Sequence, residues 1–340
     1  MLSAVRAPKT GSASPTDPLL TTTVPREYVH RAAVAEVLLT GWEPDATATS
    51  GACAAPGSAE TVDAFAVRAQ WPRAHALFTA TEAHQDPMLM VESIRQTGSL
   101  LAHAAYEVPF GHQFLMWDMS FTADARAFAT AATPTEVELR TTCRTTLRRG
   151  GGLASMRYTV SVLREGDEVA SGSASYSCTS PAVHRRLRGD RPFSTGRALP
   201  APVDPASVGR ASGRDVLLGA PERAGEARWE LRVDTGHPVL FDHPVDHVPG
   251  MVLIEAGRQA ARALTSRPHA LLLGMESRFP RYAELDAPCF VTACVEGTDA
   301  SGTVLVRTHC TQQGEEVFTA LLTLGPASRE AERPAGTGPA

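Results

Sequence analysis

Two stretches of this chain carry apolar residues around most of a helical circumference, each with a polar stripe running through it. In 248–264, Met251, Leu253, Ile254, Ala260, Ala261 and Leu264 surround the axis, a pattern that predicts a helix buried inside the protein. Pro249 marks its start, because proline at the first helical position gives up no hydrogen bond. Glu255, Arg258, Gln259 and Arg262 stand at i, i+3, i+4 and i+7 and so share one face. The stretch 84–96 repeats this pattern. His84/His247, Met88/Met251, Glu92/Glu255, Arg95/Arg258 and Gln96/Gln259 all match at one offset of 163 (247 − 84 = 259 − 96). Asp86 suits an N-cap there, and Pro87 the first helical position. Buried helices are predicted near 88–104 and 250–265, as parts of an internal repeat.

A second echo precedes each helix. Val29-His30-Arg31 with Glu36-Val37-Leu38-Leu39 returns as Val208-Gly209-Arg210 with Asp215-Val216-Leu217-Leu218, at an offset of 179 (208 − 29). The two offsets differ by 16 (179 − 163), and the Ala/Gly/Ser/Thr-rich run 46–59 reads as an inserted surface loop that explains the difference. Segments 64–71 and 226–234 alternate apolar and polar residues and predict a strand before each helix. After each helix come further strands, at 114–121, 136–147, 156–164 and 169–177 in the first copy. Those in the second are 271–279, 289–296, 303–312 and 317–324, and Gly166-Asp167-Glu168-Val169 and Gly314-Glu315-Glu316-Val317 are matching hairpin signals.

A sheet wrapped around a central helix is the economical way to bury such a helix. The predicted class is therefore α+β, a tandem (double) hotdog with two antiparallel sheets, each wrapped around a long central helix. Its expected parts are a disordered segment 1–23, a first repeat 24–180, a linker 181–207, a second repeat 208–325 and a flexible tail 326–340.

The chain's 340 residues are ample for two cores. A net charge of −5 makes no electrostatic case for nucleic acid or a membrane surface. The six cysteines form no CxxC pair, so free thiols in a reducing compartment are expected, with no disulfide frame and no metal site. With neither a secretory signal nor a membrane span in view, the expected location is the cytoplasm. A serine elbow and a glycine-rich phosphate loop are also missing, which disfavours covalent serine or cysteine catalysis.

The candidate chemistry lies on the polar stripes. A buried carboxylate and guanidinium each cost several kcal/mol unless paired or employed. Glu255 and Arg258, with Glu92 as the repeat equivalent, are accordingly the candidate catalytic residues. Glu255 is expected to act as general base, its pKa raised by partial desolvation. The alternative is a structural ion pair. Gln96 and Gln259 read as hydrogen-bonding supports beside a ligand, and His84, His243, His247, Arg31 and Arg95 as further ligand contacts; His30-Arg31 sits either in a strand facing the ligand or on a sheet rim. The Pro-Gly start leaves the N–H groups of Gly250 and Met251 free for an oxyanion.

Pro249-Gly250-Met251-Val252-Leu253-Ile254-Glu255-Ala256 resembles the helix start of hydroxyacyl-ACP dehydratases of the hotdog superfamily. In that family the glutamate is catalytic and an upstream histidine is its partner. Asp242-His243-Pro244-Val245-Asp246-His247 occupies the histidine region at a shorter spacing. The chain as a whole resembles the A-factor biosynthesis (AfsA-type) proteins, the γ-butyrolactone synthases of actinomycetes. The likeness rests on Val29-His30-Arg31, Glu36-Val37-Leu38-Leu39-Thr40, His84-Gln85-Asp86-Pro87, Glu92-Ser93-Ile94-Arg95-Gln96, Asp242 to Met251 and Glu255-Ala256-Gly257-Arg258-Gln259, over roughly residues 24–325.

This resemblance implies an acyltransferase that moves a β-ketoacyl group from acyl carrier protein to the hydroxyl of dihydroxyacetone phosphate. The ester then leads to a phosphorylated butenolide, in the biosynthesis of signalling molecules that regulate antibiotic production. On this reading Arg258 holds the phosphate, no cofactor is needed, and the protein is a monomer or a homodimer of double hotdogs. The alternatives are a hotdog dehydratase or thioesterase, and a non-catalytic acyl- or butyrolactone-binding regulator.

Overall fold

The computed structural model of the chain describes residues 22–45, 60–81, 83–147, 152–221, 223 and 225–325. The expected tail, the inserted loop and most of the expected N-terminal segment lie outside the described residues.

The first repeat contains β1 (Leu39–Pro44), β2 (Glu60–Trp71), α1 (Met88–Ala104), β3 (Gln113–Ala123), β4 (Thr135–Leu147), β5 (Leu153–Arg164) and β6 (Asp167–Thr179). A short helix, α2 (Pro181–Arg188), opens the linker. The second repeat follows with β7 (Arg228–Glu230), α3 (Gly250–Thr265), β8 (Leu271–Arg278), β9 (Cys289–Thr298), β10 (Val304–Gln312) and β11 (Glu315–Gly325). Both long helices fall where the repeat places them. α3 begins at Gly250, with Pro249 just outside it, and α1 begins at Met88 after Pro87.

The strands after each helix alternate sides as expected of half-buried sheet. In β10, Val304, Val306 and Cys310 turn inward while Leu305 stays exposed. Both β5–β6 and β10–β11 close through two residues with positive φ, Glu165-Gly166 (55° and 91°) and Gln313-Gly314 (53° and 80°). That is the primed turn whose twist matches paired strands.

The two expected sheets are joined into one. The strand order is β1-β2-β4-β5-β6-β3-β8-β11-β10-β9-β7, and β3 pairs antiparallel with β8 from Asp118↔Arg278 to Thr122↔Gly274. Each half curls around its own helix, and the tandem hotdog is thus continuous at its centre. Tyr158 of β5 and Tyr176 of β6 donate their hydroxyls to the Ile94 and Gly98 carbonyls of α1, both at 2.8 Å. A Cβ at Gly98 would lie 2.7 Å from the Tyr158 hydroxyl, so glycine permits this close packing of helix on sheet.

Two expectations change. The strand predicted over 226–234 shortens to Arg228–Glu230, because Arg232 turns inward and gives its guanidinium hydrogens to the carbonyls of Pro200, Gly213 and Val216. The linker, for which the sequence pattern predicts no element, starts with α2, capped by the Ser180 hydroxyl.

Candidate functional site

Each polar stripe is tied down by its own repeat. In the first, Glu92 accepts from Arg31 Nε (2.9 Å), Arg95 Nε (2.9 Å) and Gln96 Nε2 (2.7 Å). Gln96 spans to the chain before β1, accepting from Leu38 N–H and donating to the Glu36 carbonyl. In the second, Glu255 accepts from Arg210, from Arg258 Nε (2.8 Å) and from Gln259 Nε2 (2.8 Å). Gln259 in turn accepts from Leu217 N–H and donates to the Asp215 carbonyl. Arg31 and Arg210 are the pair matched at the offset of 179 in sequence. A further matched pair was invisible to the sequence reading. His75 and His237 cap the turns that follow them through Nδ1, and through Nε2 they meet Glu36 (3.3 Å) and Asp215 (3.2 Å).

The two clusters part company in what they meet from the opposite repeat. Asp86 reaches across to Arg258, with Oδ1 and Oδ2 at 2.5 and 3.0 Å from Nη1 and Nη2. Arg210 fills its remaining direction with the Leu77 carbonyl at 2.6 Å. Glu255, Arg258 and Gln259 are completely buried, and the contacts from Asp86 and the Leu77 carbonyl close over this cluster. The first cluster faces a cavity of about 190 Å³ instead. Its polar lining includes His30, Arg31, Arg95, Asp242, His243 and His247. Phe114, Met116, Tyr176, Phe241, Met251 and Ile254 supply apolar wall, and Pro249 and Gly250 bring the N-terminus of α3 to it. Both repeats are thus needed to build the cavity.

The helix N-termini differ accordingly. Asp86 caps α1, its Oδ1 accepting from Met88 N–H at 2.9 Å. α3 has no side-chain cap, and the N–H groups of Gly250 and Met251 have no partner among the described residues. They are donors at the positive end of a helix, beside the cavity.

Two histidines at the cavity each lean on the aspartate before them. His243 Nδ1 is 2.5 Å from Asp242 Oδ1, and His247 Nδ1 is 2.7 Å from Asp246 Oδ1. In the neutral form this leaves Nε2 of each ring as the proton acceptor. Asp242 also accepts from Ala32 N–H at 2.8 Å and lies 3.5 Å from Arg31 Nη1. Asp246 is further held by His184 and Arg188 of α2.

The electrostatics follow from these contacts. Burial alone would raise the Glu92 carboxyl, but the Arg31 and Arg95 guanidiniums outweigh it and bring the pKa down to about 2. Asp86 is likewise brought to about 2 by Arg258 and Arg210 against burial. Burial also opposes ionisation of Glu255, yet Arg210 and Arg258 hold its pKa below the ordinary carboxylate value. The expectation that desolvation raises Glu255 into the range of a general base is therefore overturned. Its charge is satisfied by two arginines that could not be seen together in the sequence.

The other sequence candidates divide by position. Arg31, Arg95, His243, His247 and Gly250 line the cavity. Glu92 lies just behind, holding both arginines. Gln96 and Gln259 are wholly buried braces and make no cavity contact. Glu255 and Arg258 belong to the closed cluster, and His84 lies off the cavity in a bridge to Ala129. His30 also faces the cavity, from the end of a 3₁₀ turn and not from a strand, and Asp242 and Asp246 join the site although the sequence does not single them out. The alternating Asp-His of Asp242-His243-Pro244-Val245-Asp246-His247 was the available signal for the two aspartates. Among the described residues no group of three or more His, Cys, Asp or Glu side chains could hold a metal ion.

The model of the A-factor biosynthesis hotdog domain (AfsA) matches residues 12–180 and 194–326 of this chain. A 2-oxo-3-(phosphooxy)propyl 3-oxoalkanoate synthase of Streptomyces virginiae is 49% identical over 304 residues, 89% of this chain and 98% of that protein. The synthase of the same name from Streptomyces coelicolor is 38% identical over 309 residues, covering 89% and 92%. Among solved structures, the 12:0-ACP thioesterase of Umbellularia californica aligns with 77% of this chain and 94% of its own, at 10% identity and a TM-score of 0.46. That is a likeness of fold alone.

Proposed function

The chain belongs to the A-factor biosynthesis hotdog domain family, and from that premise we propose that it is an acyltransferase joining a β-ketoacyl group to the hydroxyl of dihydroxyacetone phosphate. The name borne by its Streptomyces relatives describes such an ester: 3-oxoalkanoate is the β-keto acid, and 2-oxo-3-(phosphooxy)propyl is the dihydroxyacetone phosphate skeleton without its free hydroxyl group, whose place the ester oxygen takes. The donor is the β-ketoacyl thioester of acyl carrier protein. The ester would enter the biosynthesis of a butyrolactone-type signal.

The observation that carries this reading in the structure is the pair of guanidiniums, Arg31 and Arg95, clamped on Glu92 at the cavity wall. A dihydroxyacetone phosphate dianion needs planar, permanently charged donors, and arginine provides them as a fork. Arg95 keeps Nη1 without a protein partner among the described residues, and Arg31 Nη1 has only the 3.5 Å contact with Asp242. Phosphate would take up these donors. The acyl chain would lie along Phe114, Met116, Met251 and Ile254, with its thioester oxygen toward the free N–H groups of Gly250 and Met251. Donors fixed where negative charge develops on that oxygen favour the tetrahedral intermediate over the ground state. No described helix is long and apolar enough to cross a membrane.

The test incubates the purified protein with a β-ketoacyl thioester of carrier protein, with and without dihydroxyacetone phosphate, and reads product masses. The phosphorylated ester should form only when both are present. Release of free β-keto acid at the same rate without the acceptor would instead establish a thioesterase.

A further inference from the structure

Arg31 and Arg210 have the same neighbours in chain order but not the same preceding residue. A short 3₁₀ turn, Arg26–Val29 or Pro205–Val208, leads in each repeat to one residue in the left-handed region, and the arginine follows it. In the second repeat that residue is Gly209, with φ 70° and ψ 36°. Glycine adopts this conformation without penalty, and a Cβ here would come within 2.1 Å of the Pro268 carbonyl oxygen. In the first repeat it is His30, with φ 53° and ψ 53°. A residue bearing a Cβ pays for that conformation, and such strain persists where the surroundings over-determine it. The repeat with the closed cluster has the relaxed solution, and the repeat with the open cavity has the strained one. The strained side chain lines the cavity.

The protons on this histidine are set by its neighbours. His103 Nδ1 lies 2.6 Å from the Val108 carbonyl, which can only accept, so His103 carries its proton on Nδ1 and presents a bare Nε2. That nitrogen is 2.7 Å from His30 Nε2, which must donate. His30 Nδ1 is then left as a lone-pair acceptor. Phe114 at 4.7 Å between ring centroids and His103 at 5.0 Å flank the imidazole. Burial first, then the nearby Arg95 guanidinium, with His103, His243 and Arg31 also disfavouring a second proton, push its pKa down to about 3 and keep it neutral. Arg31 and Arg95 are the groups to which the phosphate is assigned above. A bound dianion would offset their repulsion and make the imidazole a better base when the acceptor is present.

We propose that His30 is the proton acceptor for the attacking hydroxyl of the phosphorylated acceptor, with His103 behind it as the relay. The assignment rests on the acyltransferase reading. As the hydroxyl oxygen forms its bond to the thioester carbon, its proton passes to His30 Nδ1, and the Nε2 proton moves toward His103 Nε2. Collapse of the tetrahedral intermediate breaks the C–S bond, and the departing thiolate takes the proton back through His30. The products are the ester and a free thiol, and both histidines return to their starting forms.

Two variants separate this role from a structural one. His30→Gly removes the ring and relieves the backbone, and His30→Asn keeps a side chain that tolerates the left-handed region and forms hydrogen bonds but cannot accept the proton. With carrier-bound β-ketoacyl thioester and dihydroxyacetone phosphate, both should lose roughly 10²- to 10⁴-fold in kcat. The KM for the acceptor should change by less than about threefold, within ordinary variation for a contact that adds no uniform binding. The melting temperature of His30→Gly should stay within about 2 °C of the wild type or exceed it, and added imidazole should restore part of its turnover. Turnover within about threefold of wild type in either variant overturns the proposal. So does a lowered melting temperature in His30→Gly with both melting and turnover restored in His30→Asn. A wild-type protein that leaves dihydroxyacetone phosphate unconsumed would refute the acyltransferase reading instead.

Discussion

Arg258 on α3 and Asp86 at the start of α1 are 172 residues apart in the chain, yet they form a two-pronged ion pair at 2.5 and 3.0 Å with no solvent access to the guanidinium. This contact joins the two repeats and closes the second polar stripe. Losing one partner strands a buried charge, which costs about 3–5 kcal/mol. Arg258→Ala is therefore expected to lower the melting temperature by many degrees, and Arg258→Lys somewhat less. Thermal unfolding followed by circular dichroism measures this directly. Whatever folded protein remains should bind dihydroxyacetone phosphate with nearly unchanged KM. A large KM increase without destabilisation would restore Arg258 to the phosphate.

Arg95 should behave in the opposite way. Its guanidinium lies at the cavity wall with donors to spare. Charge-assisted bonds of this kind contribute about 1.5–3 kcal/mol, roughly a ten- to hundredfold effect. Arg95→Ala should raise the KM for the phosphorylated acceptor by that factor and leave the KM for the acyl donor within a few-fold, with Arg95→Lys between. Steady-state kinetics with each substrate varied in turn would show whether the donor is affected instead.

The two glutamates offer a paired comparison. Glu92→Gln should weaken the hold on both Arg31 and Arg95, and its main effect should again fall on the acceptor KM, by about tenfold for one lost charge-assisted bond. Glu255→Gln leaves Arg210 and Arg258 short of a counter-charge and should act chiefly on stability. If Glu255→Gln folds normally but loses roughly 10²-fold or more in kcat, the second stripe takes part in the chemistry after all.

Acid should loosen the fold in a defined window. Asp86 and Glu92 titrate at about 2 in the folded protein, below their ordinary values of 3.8 and 4.5. Their contribution to stability is complete above those ordinary values. It is lost as the pH falls from about 4.5 toward 2, because the unfolded chain binds the protons first. The melting temperature of the wild type should decline across that range, and Asp86→Asn should flatten the decline while starting from a lower value. An unchanged pH profile in Asp86→Asn would mean that the acid sensitivity comes from other carboxylates.

The sequence by itself determined the tandem repeat, the two buried helices and most strand positions. Local patterns carry that information: five matched positions at one offset, and side-chain periods that switch from about 3.6 to 2. It also determined that Glu92 and Arg95, like Glu255 and Arg258, share a helix face, since i and i+3 positions are neighbours on any helix. Only the tertiary structure decided which stripe borders a cavity. Within their helices the two are nearly identical, and their fates depend on groups brought from far away. Asp86 and the Leu77 carbonyl close one, while Asp242, His243 and the open N-terminus of α3 border the other. The pKa of Glu255 was hidden for the same reason. Burial acts on any carboxylate in a core, but its sign of shift is set by Arg210, 45 residues away in the chain and hydrogen-bonded to it in the fold.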